Sequence, residues 1–168
     1  MPFARVAVAM LVVSLGAALH AAGQAAPPQG MVAVAGDVST PLTLSADDLK
    51  SMPRTTATLE SHGTTSNYEG VLLGDVLKRA GVPLGRELMG KAVASYVLIT
   101  AADGYQALFA LPEVDPEFSD SQIVLADTVD GHPLSDTQGP FRVIAPHDKR
   151  AARSIRMVHK IDVIRLRK

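Results

Sequence analysis

What most constrains this chain is its punctuation. Beyond residue 30, short apolar or β-branched runs are cut every few residues by Gly, Pro or Asp-Gly, which leaves no room for a long helix. Residues 32–35, 42–44, 93–100, 105–111, 123–126 and 141–145 read as strands, and the alternating Thr55–Ser61 run reads as another. The runs 93–100 and 105–111 meet across Asp103-Gly104, a strong hairpin signal. Residues 63–67 read as a polar loop, 112–121 as a loop or short helix, Asp130-Gly131 as a turn, and Ile161, Val163 and Leu166 as a closing alternation. Two helices fit between. One opens at Ser45 as N-cap, with Asp47 and Asp48 in its first turn, and stops at Pro53 after about two turns. The other places Leu73, Val76, Leu77 and Ala80 on one face and ends at Gly81. Many short strands without a βαβ rhythm predict an α+β domain on mixed or antiparallel sheet.

The chain has no cysteine among its 168 residues. It can therefore offer no thiol nucleophile, Fe–S ligand, Cys-type zinc site or lipid-modified cysteine. Residues 1–26 read as a secretory leader, with Arg5 before an apolar run over 6–19 and Gly23-Gln24-Ala25 at the cleavage positions. That run is shorter than the ~20 residues a membrane span needs. The expectation is a periplasmic or secreted protein without a stable membrane anchor after cleavage, with a Pro/Gly linker over 27–31 and a domain over 32–168.

The near-neutral total of −1 conceals a division. From Arg142 onward the chain carries a net +7, and before it a net −8. An anion pocket, a solvated basic edge and a nucleic-acid patch all fit such a block. Nucleic acid fits least, because the block is preceded by a single aromatic, Phe141, and export would separate it from cellular nucleic acid. In the segment 139–158, a strand delivers Arg142, Pro146 ends it, and Lys149, Arg150, Arg153 and Arg156 follow. Guanidinium forks and loop amides suit phosphate.

Other chemistry finds little support. Ser61 and His62 are adjacent, so an extended strand turns them to opposite faces, and no Gly-x-Ser-x-Gly elbow surrounds Ser61. His62, His132, His147 and His159 show no helical ligand spacing. Neither a Walker loop nor Gly-x-Gly-x-x-Gly occurs, and the carboxylate pairs Asp47-Asp48 and Asp115/Glu117 are explained by capping and solvation.

A series of elements taken in order resembles the molybdopterin-binding domain of the sulfite oxidase family over roughly residues 32–166. Thr58-Leu59-Glu60-Ser61-His62-Gly63 resembles the family's Thr-Leu-Gln-Cys-Ala-Gly, and Gly70-Val71-Leu72-Leu73-Gly74-Asp75-Val76-Leu77 its helix lead. Asp103-Gly104-Tyr105 through Leu111-Pro112 follow its hairpin. Leu125-Ala126, Asp130-Gly131-His132-Pro133-Leu134, Gly139-Pro140-Phe141-Arg142 and 152–158 are similar to its remaining elements. The resemblance implies a molybdopterin cofactor, with Arg142, Arg153, Ser154, Ile155 and Arg156 holding pterin and phosphate, and Asp103 nearby. Ser61 stands where the family has its molybdenum-ligating Cys, Gln138 falls near a family His, and Met157 replaces a Trp.

A hard hydroxyl is a poor substitute for a soft thiolate on molybdenum. The reading that follows is an exported protein that binds a pterin or other small anionic, phosphorylated ligand without the standard metal anchor. Two alternatives stand beside it: a molybdenum oxidoreductase with Ser61 as ligand, and a scaffold or sensory module acting through a periplasmic protein partner.

Overall fold

A computed structural model describes residues 28–61 and 63–166. The expected leader over 1–26 lies outside the described residues, as does His62.

Twelve elements besides 3-10 turns follow one another as β1 (Met31–Gly36), β2 (Leu42–Ser45), α1 (Ala46–Lys50), β3 (Thr55–Ser61), β4 (Thr64–Leu72), α2 (Leu73–Arg79), β5 (Ser95–Ala101), β6 (Gln106–Ala110), β7 (Val124–Val129), β8 (His132–Pro133), β9 (Arg142–Ile144) and β10 (Val158–Arg165). They build two sheets. The first runs β2-β1-β10-β5-β6, with β1 and β10 parallel and every other pair antiparallel. The second runs β3-β4-β7, and the far edge of β7 is shared by β8 and β9. This is the α+β arrangement with mixed and antiparallel sheet that the punctuation predicts.

The main core lies between the sheets. Val32, Val34, Val97, Ile99, Phe109 and Ile161 of the first sheet face Val71, Leu125 and Val143 of the second, and the apolar face of α2 (Leu73, Val76, Leu77) completes the layer. Each fully buried aliphatic side chain contributes about 1.5–3 kcal/mol. A smaller cluster (Ala57, Leu59, Tyr68, Val124, Ala126, Ile144) covers the other face of the second sheet. The buried pattern of β5 alternates residue by residue, as a strand with one face toward the core must.

Five local readings change. Residues 64–67, expected as loop, extend β4, and Ser61 to Thr58 pair with Thr64 to Asn67. Their polarity reflects exposure, and cross-strand bonding of threonine-rich backbone decides the conformation. Met31, assigned to the linker, is the first residue of β1 and pairs with Ser45. Val93 and Ala94 fall in a 3-10 turn, and β7 runs on to Val129 before a turn in which Asp130 and Gly131 both take positive φ (48° and 78°). Helix α1 is shorter than two turns. Its start is as expected: Ser45 Oγ accepts from Asp48 N at 3.2 Å and the Asp48 carboxylate accepts from Ser45 N at 2.8 Å. The hydrogen bonds from Ser45 hold the Asp48 carboxyl below its ordinary value.

Two features lock the second sheet. A bulge in β7 falls at Asp127, between the pairings of Thr128 with Glu69 and Ala126 with Gly70, and a Cβ at Gly70 would overlap the Leu125 carbonyl of β7. Across β4, Arg54 makes a two-pronged contact with the buried Asp127 of β7, at 2.8 and 2.7 Å, and Thr128 Oγ1 donates to the same carboxylate at 2.7 Å. Burial pushes the Asp127 carboxyl up, but the bonds from Arg54 and Thr128 outweigh it and leave it below its ordinary value.

Two outcomes follow. Gly70→Ala costs about 1–3 kcal/mol in urea unfolding, through displacement of β7. Asp127→Asn costs about 1–3 kcal/mol near neutral pH. Because the folded-state value is depressed, this stabilisation is present above the unfolded value near 4 and is lost as pH falls through the folded one, so wild type and variant converge in acid. An unchanged gap at pH 2 would refute the assignment.

Candidate functional site

The basic segment after β9 folds back across the ends of β3, β4 and β5 and encloses a cavity of about 780 Å³. Ser61, Thr64 and Tyr68 line it from the β3–β4 hairpin, Asp103 and Tyr105 from the β5–β6 turn, and Lys149, Arg150 and Arg156 from the basic segment. Two carboxylates, Glu60 and Asp103, face four cationic side chains, so the cavity is electropositive.

Arg142 sits at its base. Beta-strand β9 pairs with β7 through Arg142 and Ala126, which carries the side chain into the interior, 9 % exposed. Nη1 donates to Tyr68 Oη at 2.7 Å and to Gln138 Oε1 at 2.8 Å. The guanidinium carbon lies 4.9 Å from the centre of the Tyr68 ring. Nε is buried with no hydrogen-bond partner. Among the described residues no carboxylate pairs with this guanidinium, although six other ion pairs form. Burial lowers the Arg142 guanidinium from its ordinary value; Tyr68 opposes that and the nearby Arg156 charge adds to it. Arg remains a cation regardless. A buried cation without a counter-charge costs several kcal/mol, a cost that a bound anion offsets.

The residues expected from sequence divide into two groups. Ser61, Asp103, Arg142, Ser154, Ile155 and Arg156 all line the cavity. Ser154 is buried and its Oγ accepts from Ala145 N at 3.0 Å, while Ile155 O accepts from Val143 N at 2.8 Å, so this pair fixes the wall against β9. One Asp103 carboxylate oxygen accepts from Tyr105 N at 2.9 Å and thereby shapes the turn.

Arg153 is the exception. Its guanidinium is outside the cavity wall: it grips Asp148 at 2.8 and 2.7 Å, reaches Glu113 at 3.1 Å and lies 4.6 Å from the Phe109 ring centre. Two carboxylates and an aromatic face satisfy it, so it fastens the basic segment to β6 and the turn after it. The Asp148 bond above all, together with Glu113, raises its ordinary value further. Charge patterning alone does not separate such an arginine from an anion-binding one.

Sequence reasoning gave no role in the site to Tyr68 or Tyr105. The only signal was their place beside elements already singled out, Glu69-Gly70 and Asp103-Gly104. Gln138 holds Arg142 rather than standing free. Met157 takes a positive φ (52°) and does not line this cavity; its N–H donates to Gln138 O at 2.8 Å and its carbonyl accepts from Ala102 N at 2.9 Å. Together with Met31, Pro140 and His159 it borders a second, largely apolar cavity of about 360 Å³.

Millimolar inorganic phosphate is expected to raise the melting temperature of the wild type, and Arg142→Gln to lose most of that gain. Arg153→Ala is expected to cost about 1–2 kcal/mol, because its contacts are partly exposed, while keeping the phosphate response. Calorimetry with and without phosphate reads both, and a phosphate gain retained by Arg142→Gln contradicts the electrostatic assignment.

A family model for the oxidoreductase molybdopterin binding domain matches residues 22–168. The uncharacterized oxidoreductase YuiH of Bacillus subtilis (strain 168) is 31 % identical over an alignment of 121 residues that covers 68 % of this chain and 55 % of that protein. The crystal structure of the sulfane dehydrogenase SoxCD from Paracoccus pantotrophus shares the fold with a TM-score of 0.63 at 21 % identity, over 79 % of this chain and 37 % of that one. The chain thus spans about half the length of the curated relative and less of the solved structure. By the extent of the family match and the two-sheet fold that carries it, this chain belongs to the oxidoreductase molybdopterin-binding domain family.

Proposed function

We propose that this chain is an exported module that binds a phosphorylated pterin, or a small anion of the same chemistry, in the electropositive cavity without a thiolate bond to metal. The carrying observation is Arg142: buried, held by Tyr68 and Gln138, unpaired with any described carboxylate, and with Nε unpartnered.

The donor set fits one part of molybdopterin and not the other. Arg142 at the base and Arg156 on the wall offer two guanidinium cations to a phosphate or a polar heterocycle, while the Ser154 and Ile155 amides already donate to Ala151 O and Arg153 O at 3.0 Å. For the metal, Ser61 offers only a hydroxyl, and the chain contains no cysteine. Among the described residues no cluster of three His, Asp or Glu side chains supplies an alternative set of ligands. When bound in a protein, this cofactor supplies electron or oxygen-atom transfer at its metal. The residues here bind and orient an anion; the thiolate that would tie its metal to the chain is missing.

The position of Ser61 favours a second reading. It lines the same cavity at the end of β3, so a serine-ligated molybdenum oxidoreductase has its hydroxyl in place.

Expression in a host that makes and exports the molybdenum cofactor, followed by metal analysis and pterin fluorescence, separates the two. The first reading expects pterin retention with molybdenum well below one equivalent, unchanged by Ser61→Ala. A full equivalent of metal that Ser61→Ala abolishes establishes the second. Cell fractionation of the same culture tests export, which predicts cleavage of the first 26 residues.

A further inference from the structure

We infer that Tyr105 is the ring-stacking residue of this cavity and so selects planar heterocyclic phosphates over simple anions. The inference rests on the reading of the cavity as an anion site and adds the part of the ligand that is not the anion.

Among the described residues two aromatic side chains line the cavity, Tyr68 and Tyr105. They are not equivalent. Tyr68 is buried, its hydroxyl receives the Arg142 Nη1 proton at 2.7 Å, and the Arg142 guanidinium sits 4.9 Å from its ring centre. Its face is therefore occupied. The other cation–π contact uses Phe109, on which Arg153 lies. Tyr105 takes part in neither and is 50 % exposed.

Both polar ends of Tyr105 are tied. Its N–H donates to the Asp103 carboxylate at 2.9 Å, and its hydroxyl donates to the Ala152 carbonyl in the basic segment at 3.0 Å. With these ends held, what remains to meet a ligand is the ring. Its position is set before binding, so stacking loses little rotamer freedom. The same hydroxyl bond ties the ring to the segment that supplies Lys149, Arg150 and Arg156, so heterocycle and anion would be read by one connected wall.

Geometry thus assigns different tasks to different side chains. Arg142 and its neighbours recognise charge, which inorganic phosphate also carries. Tyr105 recognises a flat π-face, which inorganic phosphate lacks.

The test compares two probes, inorganic phosphate and 6-hydroxymethylpterin monophosphate, on the full chain by calorimetry and by quenching of pterin fluorescence. Tyr105→Leu is expected to weaken the pterin phosphate roughly tenfold or more, the usual effect of removing a stacking aromatic, and to leave inorganic phosphate within about twofold. Tyr105→Phe, which keeps the ring and loses the bond to Ala152, is expected to retain most of the pterin affinity and the quenching. Should Tyr105→Leu weaken both probes alike, or Tyr105→Phe be as damaging as Tyr105→Leu, Tyr105 merely clamps the basic segment and the inference falls while the anion site stands. Pterin phosphate bound by wild type without quenching overturns it independently of any variant. If wild type binds neither probe, the anion reading fails and this inference with it.

Discussion

A guanidinium buried without a counter-charge is the condition around which the rest of the site is arranged. Arg142 enters the interior because β9 pairs with β7, and the ladder holds its backbone there. Tyr68 and Gln138 then supply the available relief, one through a hydroxyl and a ring face, the other through an amide oxygen. Neither carries a negative charge. The desolvation cost is thus only partly offset within the protein, and the cavity above is poised toward an anion.

Such a poised charge requires rigid surroundings. The absent side chain of Gly70 lets β7, bulged at Asp127, approach closely, and the Arg54–Asp127 contact spans β4 to hold β3 and β7 in register. On the other side, Arg153 and Tyr105 pin the basic segment to β6 and to the β5–β6 turn. The segment that looks like a free cationic loop in sequence is fastened at two points. Its remaining cations, Lys149, Arg150 and Arg156, are left to face the cavity.

Membership of the molybdopterin-binding family gives the cavity a context, and the chain's departures from the family pattern give it a character. On the proposed reading Ser61 stands where the family places a sulfur ligand, an exchange that alters hardness and acidity together. The proposed anion recognition rests on residues that a serine at that position leaves untouched. The organic and inorganic halves of a metal–pterin cofactor are thereby separable demands on a protein, and the proposed function has this chain meet them unequally.

Much of the architecture was legible in the order of residues. Alternation marked β3, the Asp-Gly pairs marked both hairpin turns, and the Ser45 cap and the Leu73, Val76, Leu77 stripe marked the helices, because these signals depend on local backbone preference and on a face that must be buried. The basic block and Arg142 were legible too, as charge is carried by composition. Residues 64–67 were misread because polar threonines on an exposed strand look like loop until a partner strand supplies the hydrogen bonds. What only the tertiary structure decided is which cation meets a carboxylate. Arg153 and Arg142 lie eleven positions apart in one basic segment, yet Asp148 and Glu113 converge on the first and no described carboxylate on the second, since ion pairing depends on distance in space and not along the chain.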